Sequence, residues 1–83
     1  MDKVEIEVYV PTINRTYNIF VPLQSRLYEV MNLIAKAVSE LSNGLFVASK
    51  DSILCSRLDG SAYNLNKTVR EAGIENGAKI MLM

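Results

Sequence analysis

Three runs along the chain alternate apolar and polar residues, and one longer stretch repeats its apolar residues every three or four positions. Val4, Ile6, Val8 and Val10 alternate with Glu5, Glu7 and Tyr9, the period of a strand with one buried face. Pro11 ends that run, because proline cannot donate to a ladder. After a turn over Thr12 to Arg15, Tyr17, Ile19 and Val21 alternate with Thr16, Asn18 and Phe20 as far as Pro22. Two such runs with a short connection predict an antiparallel hairpin whose second strand lies at a sheet edge. Between Ser25 and Gly44, the residues Leu27, Val30, Met31, Ile34, Val38 and Leu41 form one helical stripe, with Arg26, Glu29, Asn32, Lys36 and Glu40 mostly on the other side. Ser25 is the expected N-cap and Gly44 the expected left-handed residue at the far end.

The second half is shorter in its pieces. Leu45 to Asp51 reads as a short strand or as an apolar loop tucked under the helix end. Ser52 to Arg57 reads as a strand, the Asp59-Gly60 pair within Leu58 to Ser61 as a tight turn, and Ala62 to Leu65 as a short return strand. Asn66 to Ala72 has room for one helical turn, and Gly73 and Asn76-Gly77 punctuate the chain before Lys79 to Met83. In that last strand Ile80 and Leu82 share one side, and Lys79, Met81 and Met83 share the other. A single striped helix needs one apolar sheet face to lie on. A right-handed crossover then sets a late strand parallel to the first. The predicted class is α+β: a β-grasp, with a mixed sheet of four to five strands in the order β-β-α-β-β-β packed on one long helix, formed by residues 1–83 as one domain.

Composition narrows the chemistry. The 83 residues carry nine basic and nine acidic side chains and no basic run, which argues against a nucleic-acid partner. No apolar run approaches the ~20 residues that cross a bilayer. Lone Cys55 has no internal disulfide partner, which suits a reducing, cytoplasmic setting. The absence of histidine removes the usual general base near neutral pH and the commonest zinc ligand. Cys55, between Leu54 and Ser56, reads as a small buried hydrophobe rather than a reactive thiol. Glu5 and Glu7 share a strand face about 7 Å apart, but on an open sheet they are solvated charges. Gly44, Gly60, Gly73 and Gly77 are too scattered to form a phosphate loop. Neither an enzyme, a cofactor nor a metal is expected.

The stretch from Leu65 to Leu82, LNKTVREAGIENGAKIML, resembles the ubiquitin-like superfamily in its leucine, its "T-[LV]-x-E-x-G-I-x-[ND]-G" run and its alternating final strand. The resemblance implies that Leu65, Val69 and Ile74 plug one end of the core and that Gly77 turns the chain into its last strand. Within the superfamily, the Tyr17-Asn18-Ile19-Phe20-Val21-Pro22 strand, the long helix and the Gly73 to Gly77 turn are most similar to the small YukD/EsaB-type proteins of type VII (WXG100) secretion in Gram-positive bacteria. That resemblance implies a non-enzymatic adaptor with secretion-system proteins as partners. Conjugated modifiers and sulfur carriers of this fold need a terminal Gly-Gly, which is missing at Met83, so conjugation is not expected. The alternatives are a modifier or carrier whose diglycine lies past Met83, or an N-terminal cytosolic domain of a membrane secretion component.

Binding by such domains commonly uses the sheet face away from the helix. Here alternation places Tyr9, Phe20, Met81 and Met83 on that face, and Leu54 joins them if Ile53 and Cys55 point inward. An exposed methionine and aromatic group can repack against a partner. Scattered apolar residues are also normal on any small domain, and both readings stay open. The edge formed by the second strand offers a second route, a homodimer by strand pairing.

Overall fold

The computed structural model describes residues 2–47 and 52–83. Among them the elements run β1 (Lys3–Val10), β2 (Arg15–Pro22), α1 (Leu27–Leu41), β3 (Leu54–Ser56) and β4 (Ala78–Leu82). The strands form one mixed sheet in the order β2-β1-β4-β3. β1 pairs antiparallel with β2, parallel with β4, and β4 pairs antiparallel with β3. The expected parallel pairing is therefore present: after α1 and β3 the chain returns in β4 beside β1 and in its direction.

Alternation decides which side of each strand is buried. Val4, Ile6, Val8 and Val10 of β1, Ile19 and Val21 of β2, and Ile80 and Leu82 of β4 all face α1 and are at most 8% exposed. α1 presents Leu27, Val30, Ile34, Ala35 and Val38 to them. Burying a side chain of this size stabilises the fold by about 1.5–3 kcal/mol, so these two faces hold the sheet and helix together. Val69 and Ile74 close one end of the core at 0% and 4% exposure, with Leu65 half-buried against it. Leu41 departs from the stripe. It is 59% exposed, at the last residue of α1.

The helix start differs from the expected cap, and at the far end left-handed Gly44 (φ 81°) is joined by a second such residue. Arg26, not Ser25, is the N-cap, in extended conformation, and its N–H donates to the Glu29 carboxylate at 3.3 Å. The next two amides are satisfied by the loop before β4: Leu27 N–H donates to the Lys67 carbonyl at 2.9 Å and Tyr28 N–H to that of Leu65 at 3.1 Å. The Arg26 guanidinium also donates to the Asn66 carbonyl. With backbone carbonyls taking the orphan donors, no hydroxyl cap is needed. At the other end Asn43 (φ 54°) occupies the first left-handed position and Gly44 follows it. Gly44 N–H reaches back to the Ser39 carbonyl at 2.8 Å and Asn43 N–H to Glu40 at 3.2 Å, the paired closure of a Schellman motif.

The remaining connections are economical. Phe46 is buried beneath the helix end, its N–H bonded to Ser42 Oγ at 3.2 Å; residues 48–51 of the expected Leu45 to Asp51 strand or loop lie outside the described residues. β3 spans only three residues of the expected Ser52 to Arg57. The return strand over Ala62 to Leu65 is reduced to a single bridge between Cys55 and Ala62. Thr68 to Ala72 makes one helical turn, closed by Ala72 N–H to the Thr68 carbonyl at 3.0 Å. The Asn76-Gly77 pair clamps β1. Asn76 Oδ1 accepts the Glu5 N–H at 2.8 Å, and Gly77 N–H donates to the Glu5 carbonyl at 2.8 Å. Gly77 adopts φ 82° to do so, a conformation that side chains beyond glycine resist.

Candidate protein-binding face

The sheet face opposite α1 follows from the register. Tyr9 lies beside Met81, and Met81 beside Cys55. One step along, Glu7 lies beside Lys79 and opposite Asn18. Met83 lies two residues beyond Met81, and its backbone exchanges both hydrogen bonds with Ile53 at 2.9 Å. Ile53 and Met83 are 43% and 45% exposed. Tyr9, Met81, Ile53 and Met83 therefore form a connected apolar strip across three strands, at one end of the sheet.

Two of the expected residues lie elsewhere. Leu54 is a correction: it is 1% exposed, paired with Leu82 on the core side. Ile53 and Cys55 consequently point outward, the opposite parity. Phe20 does lie on the outer face, 62% exposed, but opposite Glu5 at the far end of the edge strand. At about 3.3 Å per residue and 4.8 Å per strand, roughly 20 Å separates it from Met83.

Arg57 is the residue the pattern did not single out. Its guanidinium sits 4.5 Å from the centre of the Tyr9 ring, and its Nη1 lies 3.3 Å from Glu7 Oε2. On the ring's other anchor, the Tyr9 hydroxyl donates to Asn14 Oδ1 at 3.0 Å. Asn14 holds φ 52° in the β1–β2 turn. The aromatic ring is thus fixed by a cation above it and a turn residue at its tip. Once Cys55 is known to face outward, Arg57 two residues on does so as well; that parity was the missing signal.

Cys55 lies on the outer face by register yet is 2% exposed. Among the described residues there is no group of three or more His, Cys, Asp or Glu side chains placed to hold a metal. Glu5 and Glu7 are engaged with Asn76 through the backbone and with Arg57 through the side chain, respectively. Among the described residues, the two carboxylates held below their ordinary range lie off this face in turns. Ser61 N–H lowers Asp59, and Thr68 N–H lowers Glu71. A partly apolar strip with a fixed tyrosine and a charged border of Glu7, Lys79 and Arg57 has the makeup of a protein contact. No helix among the described residues is long and apolar enough to cross a membrane.

No protein-family model matches the chain, and no curated protein sequence matches it. Solved structures do match its backbone. The ubiquitin-like domain of the type VII secretion system protein EccD1 of Mycobacterium tuberculosis superposes with a TM-score of 0.80 at 14% identity, covering 100% of this chain and 99% of that one. The EccD5 ubiquitin-like domain of Mycobacterium xenopi gives 0.73 at 12% identity, with 100% and 94% covered. The ubiquitin-like domain of Plasmodium falciparum Dsk2 gives 0.75 at 10% identity, with 98% and 96% covered. The fold is the ubiquitin-like β-grasp, with one helix clasped by a four-stranded mixed sheet.

Proposed function

We propose that the chain is a single ubiquitin-like domain that acts by binding protein, as a non-enzymatic adaptor or accessory component of a type VII secretion system, on the cytoplasmic side. The observation that most supports this reading is the end-to-end likeness to the EccD1 ubiquitin-like domain, in which neither chain leaves a substantial part unmatched. Fold alone is shared by many roles, so the reading also leans on the sequence resemblance to the YukD/EsaB-type proteins of WXG100 systems in Gram-positive bacteria. The contact surface in this proposal is the strip of Tyr9, Met81, Met83 and Ile53, with Arg57 at its border. Titrating the isotope-labelled chain with cytosolic domains of the host's type VII membrane components tests it. Binding should perturb the Tyr9 and Met81 signals, and Met81→Asp should abolish it without loss of fold. Binding that leaves those signals unmoved contradicts the assigned face; no binding to any such component contradicts the assigned system.

A second reading is favoured by the description of both mycobacterial neighbours as domains of EccD proteins. In it these residues are one domain of a larger secretion component. A reading frame continuing past position 83 into apolar segments of ~20 residues distinguishes it from the first.

A further inference from the structure

The exposed side of α1 is not uniformly polar. Leu33, Ala37 and Leu41 recur at steps of four and form an oblique apolar ridge along one flank, with Leu33 45% and Leu41 59% exposed. Lys36 and Glu40 border the ridge, and with Leu33 and Ala37 they line an open groove. Among the described residues neither Lys36 nor Glu40 enters an ion pair. We infer that this ridge pairs two copies of the chain, with their helices antiparallel about a twofold axis level with Val38.

Spacing and charge both select that occupant. With a rise of about 1.5 Å per residue, an axis at Val38 interleaves the three ridge residues of one copy with the three of the other at steps of about 3 Å. Leu33 then lies beside Leu41 of the partner at each end, and the two Ala37 side chains meet at the centre. Alanine at the centre lets the backbones approach. The same axis sets Lys36 level with Glu40 of the partner, on the same side of the ridge, and symmetry repeats the pair. The polar border is therefore self-complementary, as an isologous contact requires. A parallel pairing would instead place the two Lys36–Glu40 borders on opposite sides of the contact, where they cannot pair. The contact leaves the outer sheet face free, so it stands apart from the proposed adaptor role and from pairing through the β2 edge.

Sedimentation velocity of the 83-residue chain from micromolar to millimolar concentration tests the inference. The wild type should dimerise reversibly, and Leu33→Asp, an exposed change, should be monomeric with an unaltered circular dichroism spectrum. Lys36→Glu and Glu40→Lys should each raise the dissociation constant about tenfold, and the double reversal should restore it to within about twofold. A chain monomeric throughout the range overturns the inference. So does a dimer indifferent to Leu33→Asp, and so do charge reversals whose effects add instead of cancelling.

Discussion

The Arg57 guanidinium lies 4.5 Å from the centre of the Tyr9 ring, joining the residue that follows β3 to the far end of β1 across the intervening β4. The contact crosses the outer face where Met81 separates the two strands, and Glu7 takes the same guanidinium from the side. It holds the tyrosine ring at one orientation and gives the apolar strip a positive border.

Removing that cation should leave the fold intact and loosen the ring. Arg57→Ala is expected to cost about 0.5–1 kcal/mol, the range of an exposed cation–π pair, because both partners keep much of their contact with water. Urea denaturation measures the loss. Near-ultraviolet circular dichroism should weaken as Tyr9 gains freedom, and an unchanged tyrosine signal would mean the stacking does not persist in solution.

Two residues in one turn cap each other. Thr68 N–H donates to Glu71 Oε1 at 2.9 Å, and Glu71 N–H donates to Thr68 Oγ1 at 3.1 Å. The Thr68 N–H holds the Glu71 carboxyl below its ordinary value of 4.5, helped by the Thr68 hydroxyl. A carboxyl depressed in the fold stabilises it above the unfolded value and loses that contribution as pH falls through the folded one. Stability measured from pH 7 down to pH 3 should therefore fall less steeply in Glu71→Gln, which keeps an acceptor oxygen but cannot titrate. Thr68→Ala should cost about 1 kcal/mol at pH 7, as loss of an N-cap hydroxyl does. A Glu71→Gln profile parallel to the wild type would contradict the assignment.

The helix stripe predicts two opposite results from residues seven apart. Ile34 is 0% exposed under the sheet, so Ile34→Asp buries a carboxylate without a partner and should cost more than about 3 kcal/mol, enough to unfold a domain this small. Leu41, in contrast, is exposed, and Leu41→Gln should change stability by less than about 0.5 kcal/mol. Thermal melts of the two variants separate them; a cooperative, near-wild-type melt of Ile34→Asp would contradict the packing of α1 on the sheet.

Legibility followed the length and regularity of each pattern. Val4 to Val10 and the α1 stripe from Leu27 to Val38 span enough residues for their period to fix both element and buried face. Ile80 and Leu82 were legible because charged Lys79 marks the other side. β3 was not, because Ile53, Leu54 and Cys55 are all apolar and three residues carry no period. With the parity open there, Leu54 stands as a candidate for the outer face, while Ile53 and Arg57, which lie on it, carry no local signal. Distances across the sheet were also hidden: Phe20 and Met83 share a face by alternation, yet only the register places them at opposite ends. The N-cap is hidden for a third reason. Arg26 needs no hydroxyl because the Leu65 and Lys67 carbonyls, some forty residues away in sequence, complete the helix end, and no local pattern encodes that.

The proposed role rests on the strip around Met81 being the surface a secretion partner contacts. The most direct measurement is the affinity of the chain for the cytosolic part of its host's type VII membrane complex, compared among Met81→Asp, Phe20→Asp and the wild type. The account predicts that Met81→Asp abolishes binding while Phe20→Asp, roughly 16 Å from Met81 by the strand spacings, leaves it within about twofold. Wild-type affinity in Met81→Asp would contradict it.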